Sequence, residues 1–274
     1  MHENQLRSAA SRLDSGGGSY RRAYPASPPV RFSFQARYEV LHDVETLGLS
    51  EDYRLGPTAV AQVRWSDPAF FSPQRYLEAG LSLRYRVDLG GNLVTASAAG
   101  SARLMQGDPG CGVAGPWVNR RFAAQLYEVS PVLGFGRFVA RALVDLRAAP
   151  LSRQLLVLGG SNGLRGAEAE QYVGSNLALV NLEYRTLPVE LLTLHVGLVL
   201  FLDAGAAFPE SPWVRSVGLG LRFLFPQFDR ETVRIDFGYV FDEPGGPRPL
   251  YRYFSASFGQ VTDFQPGYLG SPLD

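Results

Sequence analysis

RFVARALVDLR, residues 137–147, alternates two chemistries along one short run. In an extended chain Phe138, Ala140, Ala142, Val144 and Leu146 share one face, and Arg137, Arg141, Asp145 and Arg147 share the other. One face avoids water and the other carries four charges, so the segment reads as a strand between two different solvents.

The same alternation recurs on both sides of this run. Phe32, Phe34, Ala36, Tyr38 and Val40 oppose Arg31, Ser33, Gln35, Arg37 and Glu39. Leu77, Ala79, Leu81, Leu83, Tyr85 and Val87 oppose Glu78, Ser82, Arg84, Arg86 and Asp88. Ala178, Val180, Leu182 and Tyr184 oppose Asn181, Glu183 and Arg185, and Val217, Leu219, Leu221, Phe223 and Phe225 oppose Ser216, Gly218, Gly220 and Arg222. Val233, Ile235, Phe237 and Tyr239 oppose Arg234, Asp236 and Gly238. With Gly, Pro, Asp and Asn clusters between them, these runs predict about eleven strands. They fall near 30–42, 54–66, 75–88, 92–105, 117–129, 135–148, 176–187, 191–206, 214–226, 231–241 and 252–263.

A soluble sandwich also alternates, but its strands usually run about five or six residues. These reach the length of about 9–11 that a tilted strand needs to cross a bilayer. The polar face carries Arg with Asp or Glu on strand after strand, which suits a wet or ion-paired lumen. Trp65, Tyr127 and Tyr239, near strand ends, suit interfacial girdles. The expected fold is all-β, an antiparallel transmembrane β-barrel over residues 30–264. A Gly-, Ser- and Pro-rich lead-in over 1–29 precedes it and a short tail over 265–274 follows.

Composition narrows the function classes. The chain has 274 residues, 46% of them apolar, with 26 basic and 26 acidic residues in balance, which argues against disorder and against an electrostatic nucleic-acid binder. Every basic residue is Arg, and base composition of the genome accounts for that more simply than phosphate binding does. Cys111 stands alone, so no intrachain disulfide forms and a Cys-based metal site is not expected. The apolar run Leu191–Leu202 is broken by Thr193 and His195 and is shorter than the roughly 20 residues of a membrane helix. Met1–Asp14 lacks the apolar core of a signal peptide, so an exported chain would start upstream.

Residues 155–185, LLVLGGSNGLRGAEAEQYVGSNLALVNLEYR, carry a Gly159-Gly160 pair, the triplet Leu164-Arg165-Gly166, and Asn181-x-Glu183-Tyr184-Arg185. Phe201-x-Asp203-x-Gly205, Val217-Gly218-x-Gly220-x-Arg222, Arg234 to Gly238, and Ser257-Phe258-Gly259-Gln260 follow in order. This series resembles the bacterial surface antigen barrel of the outer-membrane protein assembly family (BamA/TamA-like), well over 155–262 and weakly over 40–154, where Glu45–Gly56 is the best stretch. The resemblance implies the C-terminal part of a barrel of about 16 strands whose edges must pair, because unpaired backbone groups are costly in lipid. It also implies a loop folded into the lumen.

In that reading Gly159, Gly160, Leu164, Arg165 and Gly166 form the loop motif, and Glu183, Phe201, Asp203 and Gly205 form its inward landing site. A bidentate pair between Arg165 and Asp203 would pin the loop. Ala167 stands where the family usually has an aromatic, which implies a less firmly held tip. Phe258, Gly259 and Gln260 mark the closing strand, with Gly259 loosening a lateral gate that templates a client strand. The expected partners are outer-membrane lipid, a client β-barrel or exported protein, and periplasmic domains upstream. No cofactor, metal or covalent chemistry is expected. Rival readings are a passive pore and the membrane anchor of an exported hydrolase.

Gly159-x-Ser161-x-Gly163 also fits a hydrolase nucleophile elbow. The order Ser161, His195, Asp203 and the absence of helical periodicity argue against that, and His195 reads as a lumen-facing polar residue. His2 and His42 show no metal-ligand spacing. The glycine spacing at 218 and 220 lies in an alternating strand, where a nucleotide loop is remote.

Overall fold

A computed structural model describes residues 30–33, 37–70, 74–106, 115–152, 154–160, 162–227, 231–241 and 254–260. The lead-in, the tail, Cys111 and Ser161 lie outside the described residues. The strands are β1 (Val30–Ser33), β2 (Tyr38–His42), β3 (Ser50–Arg54), β4 (Gly56–Ser66), β5 (Tyr76–Leu89), β6 (Asn92–Met105), β7 (Trp117–Val129) and β8 (Gly136–Ala148). There follow β9 (Leu156–Leu158), β10 (Tyr172–Gly174), β11 (Asn176–Thr186), β12 (Val189–Leu191), β13 (Leu194–Phe208), β14 (Val214–Leu224), β15 (Val233–Val240) and β16 (Phe254–Phe258). Among the described residues no α-helix occurs, only a 3-10 turn at Pro68–Phe70.

Eleven strands form one antiparallel sheet in the order β1-β4-β5-β6-β7-β8-β11-β13-β14-β15-β16, with β12 paired to β13 beside this path. Near neighbours in sequence pair because short turns return the chain antiparallel. Between β5 and β6 the turn is Gly90-Gly91, both at positive φ, with Asp88 Oδ1 accepting the Gly91 N–H at 2.8 Å. Among the described residues β1 and β16 each pair on one side only, so the sheet is not closed.

The alternation sorts side chains as the sequence implies, with the usual polarity reversed. Leu81, Leu83, Leu126, Val180, Leu200 and Leu219 are exposed, whereas Arg141, Asp145, Asn181, Glu183, Asp203, Arg222 and Asp236 are buried. A soluble domain would place these two sets the other way round.

Two expectations need correction. Residues 30–42 are not one strand: β1 joins β4 in the main sheet, while β2 turns back on β3 as a separate hairpin. Asp43 adopts φ 61 and Gly48 φ 73, so the chain reverses there instead of running on. Tyr127 is not a girdle residue, for it is fully buried among Val44, Tyr53, Leu93, Val129 and Val139. It shares the phase of Gln125 and Val129, which face inward; Trp65 and Tyr239, in the opposite phase, are exposed.

The hairpin also reports the curvature of the sheet. Arg86 of β5 lies over the Tyr53 ring at 5.0 Å, while Gln260, just past β16, donates from Nε2 to the Glu45 carbonyl at 3.3 Å. Strands eight places apart in a flat sheet would stand roughly 38 Å apart at about 4.8 Å per step. One short hairpin meets both because the sheet curls around it, with the charged face inside.

Candidate functional site: the inner face and its two docked segments

The segment between β8 and β11 folds onto the inner face. Its neck is the β9–β10 pair, where Leu156, Leu158 and Tyr172 pack with Leu143, Leu177, Leu179 and Ala207. Beyond the neck, the Gly160 N–H donates to the Ala167 carbonyl at 3.1 Å. A Cβ on Gly159 would fall 2.0 Å from the Glu168 carbonyl oxygen, so the doubling back requires glycine there. Ala167 is itself buried, and its carbonyl carries that closing hydrogen bond.

At the tip Arg165 is completely buried. Its Nε donates to Asp203 Oδ2 at 2.8 Å and its Nη2 to Asp203 Oδ1 at 2.7 Å, a two-pronged contact of planar groups. Nη1 donates to Glu183 Oε1, and Arg185 Nε donates to the other Glu183 oxygen at 2.7 Å. The guanidinium lies 3.8 Å from the centre of the Phe201 ring, whose face attracts a desolvated cation. Phe201 needs space on the neighbouring strand: a Cβ on Gly218 would sit 2.2 Å from the ring.

Asn181 joins the loop to the sheet, donating to the Gly163 carbonyl at 2.6 Å and to Asp203 Oδ1 at 2.7 Å while accepting from Arg141. Gly166 rests on the backbone of Gly238, and a Cβ on either would come within 3 Å of the other residue's backbone. Leu164 is buried in the apolar cluster at the neck. Gly205 faces Leu158, at 3.1 Å from where its Cβ would lie. The structure thus brings the loop motif together with Glu183, Phe201, Asp203 and Gly205 at one place. Sequence reasoning assigned no docking role to Asn181, Arg141, Arg185, Gly218 or Gly238, although the phase of Asn181 and Arg185 with Glu183 was the available signal.

The hairpin β2–β3 is the second docked segment. Glu51 organises its turn, accepting the N–H groups of Val44, Glu45 and Thr46. Burial, together with Glu45 and Glu51, pushes the Tyr53 phenol well above its ordinary pKa, and its hydroxyl donates to Glu51. The turn then offers its carbonyls to the sheet. Arg185 Nη1 donates to Val44 O, His195 Nδ1 lies 2.6 Å from Leu47 O, and Thr232 Oγ1 donates to Glu45 O at 3.4 Å. His195 is therefore an inner-face residue holding the hairpin.

The closing-strand residues are divided. The Phe258 side chain lies outside the described residues, although its backbone pairs with Val233. Gly259, at φ 71, donates its N–H to the Thr232 carbonyl at 2.8 Å and turns the chain inward. That turn lets Gln260 accept from Arg222 Nε at 3.1 Å while holding the hairpin. Arg222 Nη1 donates in turn to Asp236 Oδ1 at 2.7 Å. No cluster of three His, Cys, Asp or Glu suited to a metal occurs among the described residues. No protein-family model matches the chain, and no curated protein matches it either.

Proposed function

We propose that the chain forms an outer-membrane β-barrel of the bacterial assembly or export type, which inserts or exports client proteins by strand pairing at a lateral gate. The observation that carries the membrane reading is the reversed partition: aliphatic side chains outside, ion pairs inside. Strand length supports it, with β5 and β6 at 14 residues, β7 and β8 at 13 and β13 at 15. These exceed the length of about 9–11 needed to cross a bilayer.

The client-handling part rests on the resemblance over residues 155–262 and on β16, which among the described residues pairs on one side only. An edge with free N–H and C=O groups templates another strand. The docked loop and hairpin occupy the inner face, which disfavours a wide passive pore. The inner charges around Arg165 and Arg185 position these segments, which supports work done by pairing and not by covalent chemistry.

The test is to fold the full chain into lipid vesicles and add an unfolded outer-membrane client barrel. Faster client folding than in empty vesicles is expected. A chain whose gel mobility shifts on heating, as for a folded barrel, but which leaves client folding unchanged would reduce the reading to a structural barrel or anchor. A chain that does not enter the vesicles would overturn it altogether.

A further inference from the structure

At the end of β4 to β8 away from the hairpin, the inner face holds a recess of about 130 Å³. Five arginines line it, Arg64, Arg103, Arg120, Arg121 and Arg147, with Glu78 as the lining carboxylate. Glu78 is shared between Arg64 at 3.4 Å and Arg103 at 3.1 Å. Asp145, fully buried beside the recess, is shared between Arg121 at 3.0 Å and Arg147 at 3.4 Å. Five guanidiniums therefore meet two carboxylates among the described residues.

The imbalance is not that of a solvated surface. The side chains of Arg64, Arg103, Arg121 and Arg147 are each a quarter exposed or less, so water screens their mutual repulsion poorly. At the loop tip the charges balance, with Arg165 and Arg185 meeting Glu183 and Asp203. Each guanidinium carries five N–H donors in a planar fork that suits phosphoryl oxygens, and Arg147 extends one of them to Gln154 Oε1 at 3.1 Å on the recess wall. The β-bulge between Ser101/Arg103 and the start of β7 breaks the ladder beside Arg120 and Arg121, adding two arginines to one rim.

We propose that this recess binds a small, multiply charged phosphate-class oxyanion. The sheet separates it from the outer face, so its source is the aqueous phase and not a lipid headgroup. The inference uses the inner face alone and is independent of client handling.

Titration calorimetry of the refolded full chain in neutral-detergent micelles at low salt tests it, with pyrophosphate and inorganic phosphate as probes. Saturable binding is expected, stronger for pyrophosphate. Arg147→Gln leaves Asp145 paired with Arg121 and should weaken binding about tenfold or more. Arg120→Gln, at an exposed position, should weaken it in the same direction and serves if the first variant fails to refold. No binding, binding unchanged from the unsubstituted protein in both variants, or equal competition by chloride would overturn the site. Displacement of pyrophosphate by phosphatidic acid in the micelles would overturn the aqueous source.

Discussion

The Arg165 guanidinium grips the Asp203 carboxylate at both oxygens, and the backbone N–H of Arg165 donates to Oδ2 of the same group at 3.1 Å. Side chain and backbone are thus fixed by one acceptor, so the contact sets the path of the loop as well as the place of a charge. Taking both ions out of water costs about as much as their attraction returns, which makes the pair a device for selecting one loop position.

Removing one partner is a different matter, because the other stays buried and uncompensated. Arg165→Ala should destabilise the folded protein by about 3–5 kcal/mol, read as a lower urea midpoint. Asp203→Arg should release the loop to protease, and the Arg165/Asp203 exchange should restore protection only in part, since it sets an aspartate against Glu183. Complete restoration, or none, would show that Glu183 and Asp203 do not share the guanidinium.

Gly238→Ala adds a single methyl group on the inner face of β15, where it would meet the Gly166 nitrogen at 2.7 Å. The strand itself accepts alanine, so the effect should fall on the loop. A loss of about 1–3 kcal/mol is expected, with faster proteolysis within residues 155–175. Unchanged cleavage would mean that the loop does not rest on β15.

Leu200 lies near the middle of β13 and is 60% exposed. In a water-soluble protein Leu200→Arg would be harmless or would improve solubility. Facing hydrocarbon, the same change should cost roughly 2–4 kcal/mol and lower the yield of folding into vesicles. Normal yield would argue against lipid at this position.

The hairpin should respond to alkali. Tyr53 has its pKa raised in the folded protein by burial and by Glu45 and Glu51, so folding favours the neutral phenol. Its contribution is fully present below the unfolded value, near 10, and declines as pH rises above it. Protease access to residues 38–54 should therefore increase above about pH 10. Tyr53→Phe should lessen that increase, and an equal response in both proteins would remove Tyr53 as its cause.

Period-two alternation needs no knowledge of partners, which is why the strands and their faces could be read from the sequence. The inward phase of Glu183 and Asp203 followed from the same rule, and Arg165 stood out through its motif. The hairpin was hidden by that rule: Tyr38 and Val40 continue the alternation of Phe32 and Phe34 in the sequence, and nothing in periodicity says that β1 and β2 belong to two sheets. Tyr127 misled for a related reason, because an aromatic near a strand end looks the same in a girdle as under a docked segment.

By itself the chain's order of residues determined the long strands on the main sheet's path and the chemistry of their two faces, because these depend on neighbours two residues apart, while the short strands β2, β3, β9, β10 and β12 were not legible in it. Only the tertiary structure decided that the sheet curls around a hairpin, that Gly238 receives Gly166, and that Asn181 joins a loop carbonyl to Asp203. Those relationships link residues distant in sequence through backbone curvature and close approach, and no local pattern of side chains records either.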